Sequence, residues 1–336
     1  MARGYGAIAA ALLLGCSQRS PTPEPEADRQ QLNRECGSCH VEITREWALS
    51  QHHRSADAVF QRALTREPLR FCESCHAPEA PSGRAVQGPQ GELGVACVTC
   101  HAVTARAPAV ANEHLPARHP AVSRGAGASA CQSCHEFEFP DERVARELFQ
   151  ATITEHAQSA YADTSCAACH MPRQGGHASH SFAASRSSAQ QRAAVEVSAE
   201  RASDSALRLT LATRGVGHAY PTGDLFRRVA IRVEARGVDF SVAARAERFL
   251  ARHFDDVPTA PRVLERRVTR DDRLRPGEPR SVELELGAAA SGLDLAYEVR
   301  LERVLHMNPR FEASAQVESS ELLATGTLPS VPDKSP

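Results

Sequence analysis

From about residue 192 onward, apolar and polar side chains alternate in short runs. Leu207, Leu209 and Leu211 make one run, Val282, Leu284 and Leu286 a second, and Leu293, Leu295, Tyr297, Val299 and Leu301 a third. A period of two places one set of side chains on one face of an extended chain, so each run predicts a half-buried strand. Arg228 to Val233 and Val263 to Val268 supply two more, with turns at Pro221-Thr222-Gly223 and Pro276-Gly277-Glu278. Several short strands at this spacing predict an all-β immunoglobulin-like sandwich over residues 191–325, with 326–336 as a disordered tail. Residues 33–190 lack this alternation. Val144, Leu148 and Thr152, at steps of four after Pro140-Asp141, predict a helix that carries His156. The fold class is therefore multidomain, a mostly α or irregular region followed by an all-β one.

The amino terminus has a different pattern. Arg3 precedes an apolar stretch from Ala7 to Leu14, and Gly15 stands before Cys16. A basic start, a short apolar core and a small residue at the cut predict an export signal over residues 1–15, too short to span a bilayer. Leu13-Leu14-Gly15-Cys16 resembles a bacterial lipobox, which makes Cys16 the lipidated first residue of the mature chain. Residues 16–32 are rich in proline and polar side chains and read as a disordered tether. Ser17 after the cysteine resembles the pattern of lipoproteins sent to the outer membrane, so the protein is expected on the periplasmic side or surface of a Gram-negative envelope.

Length and composition add two bounds. At 336 residues the chain is long enough for about two domains. With 39 basic against 41 acidic side chains there is no electrostatic reason to expect nucleic acid as a partner.

The strongest chemical signal lies in the cysteines. Ten of eleven fall into Cys-x-x-Cys pairs, Cys36/Cys39, Cys72/Cys75, Cys97/Cys100, Cys131/Cys134 and Cys166/Cys169, each followed at once by His40, His76, His101, His135 or His170. Cys-x-x-Cys-His is the attachment signature of c-type haem: two thiols add to the porphyrin vinyl groups and the next residue places an imidazole on the iron. A zinc ribbon would not require histidine after every second cysteine. A thioredoxin-like pair occurs once, before a helix. Structural disulfides remain the general alternative in an exported chain. Five covalent haems within so short a segment must form its core, taking over the burial that large apolar side chains ordinarily provide, so residues 36–182 should not fold without them.

Ten further histidines compete for at most five distal positions. Cys36-x-x-Cys39-His40 followed by Trp47-x-x-Ser50-x-His52, then Cys166-x-x-Cys169-His170-Met171-Pro172 followed by Ser179-His180-Ser181-Phe182, and finally Gly217-His218-x-x-Pro221-Thr222-Gly223, resemble the multihaem cytochrome c-554 family over residues 33–325. The resemblance implies His52, His180 and His218 as distal ligands. If His218 ligates a haem, the β region is docked to the haem region by a metal bond. His119, with His114 as rival, is a fourth candidate on position alone. His177, beside His180, is the fifth. His156 takes the place that Trp47 holds in the first copy of a Trp/His-x-x-Ser pattern, and reads as packing. His53, His253 and His306 read as surface or satisfied polar histidines, and Met171 as packing.

Two imidazoles on one iron leave no open position, and such a haem passes electrons rather than binding substrate. The chain thus reads as an electron carrier with no catalytic residues, working between a redox donor and an acceptor protein. A multihaem reductase of a small nitrogen or sulfur oxyanion is the alternative. Pentahaem nitrite reductases usually carry a lysine in one motif, whereas the lone lysine here is Lys334. A non-redox adhesion role for the β region would leave five haems unexplained.

Overall fold

The computed structural model describes residues 29–56, 69–79, 93–101, 128–138, 147–185, 187–260, 263–305 and 312–330. The expected signal, Cys16, most of the tether, His114, His119 and His306 lie outside them. Each Cys-x-x-Cys pair sits on a short helix: α1 (Arg29–Cys39), α3 (Leu69–His76), α4 (Cys97–His101), α5 (Ala128–His135) and α7 (Cys166–His170), with α2 (Val41–Ala48) and α6 (Thr152–Ala157) between them in the chain. Residues three apart share a helix face, so the helical backbone presents both thiols of a pair to the same side. In α7 the Ser165 hydroxyl caps the start by accepting from the Ala168 amide at 3.2 Å.

Two short antiparallel ribbons lie in this half among the described residues. β1 (Glu136–Glu138) pairs antiparallel with β2 (Leu148–Ala151), and Phe137 stacks on Phe149 with ring centroids 5.3 Å apart. Leu148 is therefore on a strand and not on a helix as predicted, and the helix that carries His156 begins at Thr152. The stacked pair favours the ribbon, and the Glu136 carboxylate, accepting from the Thr154 amide at 2.6 Å, satisfies a free donor at the helix start. β3 (Arg173–Gln174) and β4 (His177–Ala178) form a hairpin whose turn, Gly175-Gly176, has φ of 59° and 89°, a conformation glycine adopts without cost. The buried apolar side chains here form small groups, Trp47 with Ala96 and Val98, and Ala56 with Ala77.

The second half is built differently. α8 (Ser188–Ala193) crosses the expected boundary and docks on the last strand through Ser188 Oγ to Glu321 at 2.8 Å and an Arg192–Glu321 ion pair at 3.1 Å. Then follow β5 (Val195–Ser203), β6 (Ala206–Thr213), β7 (Arg227–Arg236), β8 (Val242–Leu250), β9 (Arg252–Ala260), β10 (Val263–Asp271), β11 (Arg280–Glu285), β12 (Asp294–Val304) and β13 (Val317–Leu328). They pair antiparallel in the orders β13-β12-β7-β8 and β11-β6-β5, with β9-β10 as a separate hairpin. One apolar core is shared by both larger sheets: Leu207, Leu209, Leu211 and Leu284 from one side meet Val229, Ile231, Val233, Leu295 and Val299 from the other. All the runs singled out by their alternation are strands, and β13 continues past residue 325 to Leu328.

Charge is also buried here. Arg228 and Glu302, each at most 2% exposed, form an ion pair at 2.8 Å; Arg232 shares the same carboxylate at 2.6 Å, and the Arg228 guanidinium lies 3.8 Å over the Phe249 ring. Among the described residues no helix is long and apolar enough to cross a membrane.

Candidate haem sites

All ten motif cysteines are free thiols, with no disulfide among the described residues. They approach one another between motifs rather than within a bare-ion site. The thiols of Cys75 and Cys134 lie close enough to shift each other's titration, as do those of Cys131 and Cys166, and Cys75 Sγ is 4.0 Å from the Ser133 carbonyl. Cys97 lies within reach of the charge of Cys36, and Cys100 of Cys131 and Cys134. Burial, reinforced by these neighbours, pushes Cys97 and Cys100 up to about 11. Among the described residues no three or more His, Cys, Asp or Glu side chains gather as they would around a zinc ion. The contacts connect the first motif to the third, the third to the fourth, and the fourth to both the second and the fifth.

The histidines test whether haem fits. Two imidazoles bonded through Nε2 to opposite faces of one iron, at about 2 Å per bond and roughly 1.1 Å from nitrogen to ring centre, have centroids about 6.2 Å apart. Three motif histidines face a second histidine at this spacing: His101 and His180 at 6.0 Å, His170 and His218 at 6.1 Å, and His52 and His135 at 6.3 Å. The separation is too long for direct hydrogen bonding between the rings and leaves room for one metal atom between them.

The far ring nitrogens are occupied. His180 Nδ1 is 2.8 Å from the Ala178 carbonyl, His218 Nδ1 is 3.0 Å from that of Ala219, and His76 Nδ1 is 2.9 Å from that of Ser55. An Nδ1–H that donates to a carbonyl fixes the tautomer and leaves the Nε2 lone pair for a metal. At His135 the Gln150 side-chain amide takes this place at 3.1 Å; its oxygen end can accept the same proton after a half-turn. Burial holds His52 down at about 4 and also lowers His76, His101, His135, His170 and His218, which keeps these imidazoles in the neutral, metal-binding form.

Each second histidine is held from a distant segment. His52 ends a turn after α2, where Gly94, at φ 56°, brings its loop so close that a Cβ would collide with the His52 and His53 carbonyls, and Val95 donates to the His52 carbonyl at 2.9 Å. Phe182, at φ 47°, sets its ring edge-on to His52 at 4.3 Å and to His180 at 6.1 Å. His218 lies in a loop clasped to α6: Thr222 Oγ1 donates to Glu155 at 2.8 Å, Arg273 forms an ion pair with the same carboxylate at 2.7 Å, and Gly217 packs against His156 and Tyr161.

Two expectations need correction. Among the described residues His177 is not brought against a motif histidine; its Nε2, the atom a ligand would use, is 3.1 Å from the Glu46 carboxylate. His53 is not a surface side chain: it is half-buried against Trp47, ring centroids 4.3 Å apart, with its Nδ1 buried and without a hydrogen-bond partner. That orphaned atom marks a place where the polypeptide alone does not complete its own packing. His253 is buried between Asp272, at 3.3 Å, and Glu312, at 3.6 Å, and is the satisfied polar histidine expected. Glu46, Gln150 and Glu155 were missed; the one signal for the two glutamates is that both directly precede the Trp/His of the repeated pattern.

The fold resembles that of a solved multihaem cytochrome. The chain is similar to the crystal structure of a penta-heme cytochrome c552 from Thermochromatium tepidum, with a TM-score of 0.64 at 19% identity over 89% of this chain and 98% of that one. A β-glucuronidase from glycoside hydrolase family 2 matches 41% of this chain and 11% of its own with a TM-score of 0.18, which carries no argument. No family model matches the chain, and no curated protein does.

Proposed function

We propose that the protein is an electron-transfer cytochrome that carries five covalent haems c in the bacterial envelope. The observation that carries this reading is the set of three histidine pairs at 6.0–6.3 Å, two of them with the second histidine's Nδ1 beside a backbone carbonyl. Bound haem supplies the one-electron chemistry. The chain attaches it through the ten motif cysteines, places His40, His76, His101, His135 and His170 on one face of the irons, and places His180, His52 and His218 opposite the third, fourth and fifth motif histidines. For the first two, His119 and His114 are the proposed partners, one each.

The contacts among thiols support a branched relay in which the fourth haem joins the third, second and fifth, and the third leads to the first. Shared burial of the two larger sheets supports an immunoglobulin-like sandwich as the second domain, docked through His218. The amino-terminal pattern supports a lipid anchor at Cys16 and an outer-membrane location, so that the donor and acceptor are redox proteins of the envelope.

A reductase needs an iron with a vacant or water-occupied position and groups to deliver protons there. The reduced holoprotein is expected to bind carbon monoxide poorly and to turn over nitrite and hydroxylamine negligibly. A stoichiometric carbon monoxide complex together with substrate-dependent reoxidation would replace the relay with the reductase.

A further inference from the structure

Two helices far apart in the chain carry one pattern. Glu46-Trp47-x-x-Ser50-x-His52 runs through and beyond α2, and Glu155-His156-x-x-Ser159-x-Tyr161 runs through and beyond α6. In both copies the serine hydroxyl ends the helix by accepting a backbone amide just downstream, from His53 at 3.2 Å and from Tyr161 at 3.1 Å. The other side chains differ: tryptophan becomes histidine and histidine becomes tyrosine. The glutamate is kept.

Both glutamates do the same thing. Glu46 reaches across 134 positions of sequence, and its Oε2 accepts the backbone N–H of His180 at 2.7 Å while Oε1 meets His177 Nε2 at 3.1 Å. Glu155 reaches across 67 positions to the loop after His218, where Oε2 accepts from Thr222 Oγ1 at 2.8 Å and Oε1 pairs with Arg273 at 2.7 Å. Arg273 in turn donates to the Pro221 carbonyl at 3.3 Å, so the carboxylate holds this loop at two points. Both side chains are largely buried, 22% and 13% exposed, where a charge-assisted hydrogen bond is about twice as strong as a neutral one.

The geometry of the rings explains why this matters. Nδ1 of His180 and of His218 is already fixed to a carbonyl of its own segment, at Ala178 and Ala219. Each imidazole is therefore rigid relative to its local backbone, and the remaining freedom is movement of the segment as a whole. The two carboxylates remove that freedom.

We propose that Glu46 and Glu155 are positioning residues that hold His180 and His218 at ligating distance, one device used twice on two copies of the same helical segment. This rests on the ligand assignment above, and the test separates the two. The holoproteins of His180→Ala, His218→Ala, Glu46→Ala, Glu46→Gln and Glu155→Ala are compared by low-temperature electron paramagnetic resonance and by potentiometric titration. Each histidine variant should turn one low-spin haem high-spin, a different haem in each.

Glu46→Ala should shift the g values and potential of the same signal that His180→Ala removes, and Glu155→Ala those of the signal that His218→Ala removes, with the other haems unchanged. Glu46→Gln should restore the wild-type signal, because an amide oxygen still accepts the His180 N–H. Wild-type spectra and potentials in both glutamate-to-alanine variants, beside altered histidine variants, would overturn this inference alone. Wild-type spectra in the histidine variants would overturn the ligand assignment itself. Where Glu46→Ala does not accumulate, Glu46→Asp, with its carboxylate withdrawn by one carbon, reads the same signal.

Discussion

His177 and His180 are three positions apart on one short segment, yet only His180 faces a motif histidine. The difference comes from Glu46, which takes Nε2 of the first and only the backbone N–H of the second. No local property of the sequence around residue 177 could show this, because the deciding group is more than a hundred positions away. The motif cysteines and histidines, by contrast, were legible at once, since thioether attachment requires its donors at fixed local spacing. The expected outcome at this scale is direct. His52→Ala, His180→Ala and His218→Ala should each convert one haem from six- to five-coordinate, whereas His177→Ala should leave every haem low-spin. Absorbance of the oxidised proteins in the high-spin charge-transfer region checks it. A high-spin haem in His177→Ala would return that residue to the ligand set.

At the scale of elements, the strands legible in the sequence are β6, β7, β10, β11 and β12, and most lie inside the sheets or face the shared core. Leu207, Leu209 and Leu211 are all fully buried, so their alternation is strong. β5, β8 and β13 are edge strands, where one side of the ladder and much of the side-chain surface face solvent, and their Arg, Glu and Ser content blurs the period of two. At Leu148–Ala151 the predicted helix gives way to a strand that carries the Phe137–Phe149 contact, a pairing that steps of four cannot reveal. The Arg228–Glu302 pair was equally hidden: in sequence both are ordinary charged residues of strands. Removing one partner of a buried ion pair leaves an uncompensated charge, at a cost of about 3–5 kcal/mol. Glu302→Ala should therefore lower the stability of the β region by that order in denaturant unfolding, while Glu200→Ala, whose pair with Arg208 is exposed and screened by solvent, should change little.

Across the whole molecule the two halves are stabilised by different means. The β region buries one contiguous apolar core, Leu207 to Leu323, within its own sheets. Among the described residues the cysteine-bearing half offers only small groups such as Trp47, Ala96 and Val98, with short helices around them. The halves meet where Glu155 clasps the His218 loop and Arg252 donates to the Phe149 carbonyl at 3.4 Å. The change from cysteine motifs to alternating strands along the chain marked where the β region begins. The clasp itself was not legible, because Thr222, Arg273 and Glu155 come from three separate segments.

The central claim is that five Cys-x-x-Cys-His motifs carry five covalent haems. Intact mass of the mature protein, measured after denaturation so that only covalent groups remain, tests it most directly. The account predicts the mass of the polypeptide plus its acyl modification and five additions of about 0.6 kDa. Fewer than five additions, or a mass accounted for by disulfides or zinc in their place, would contradict it.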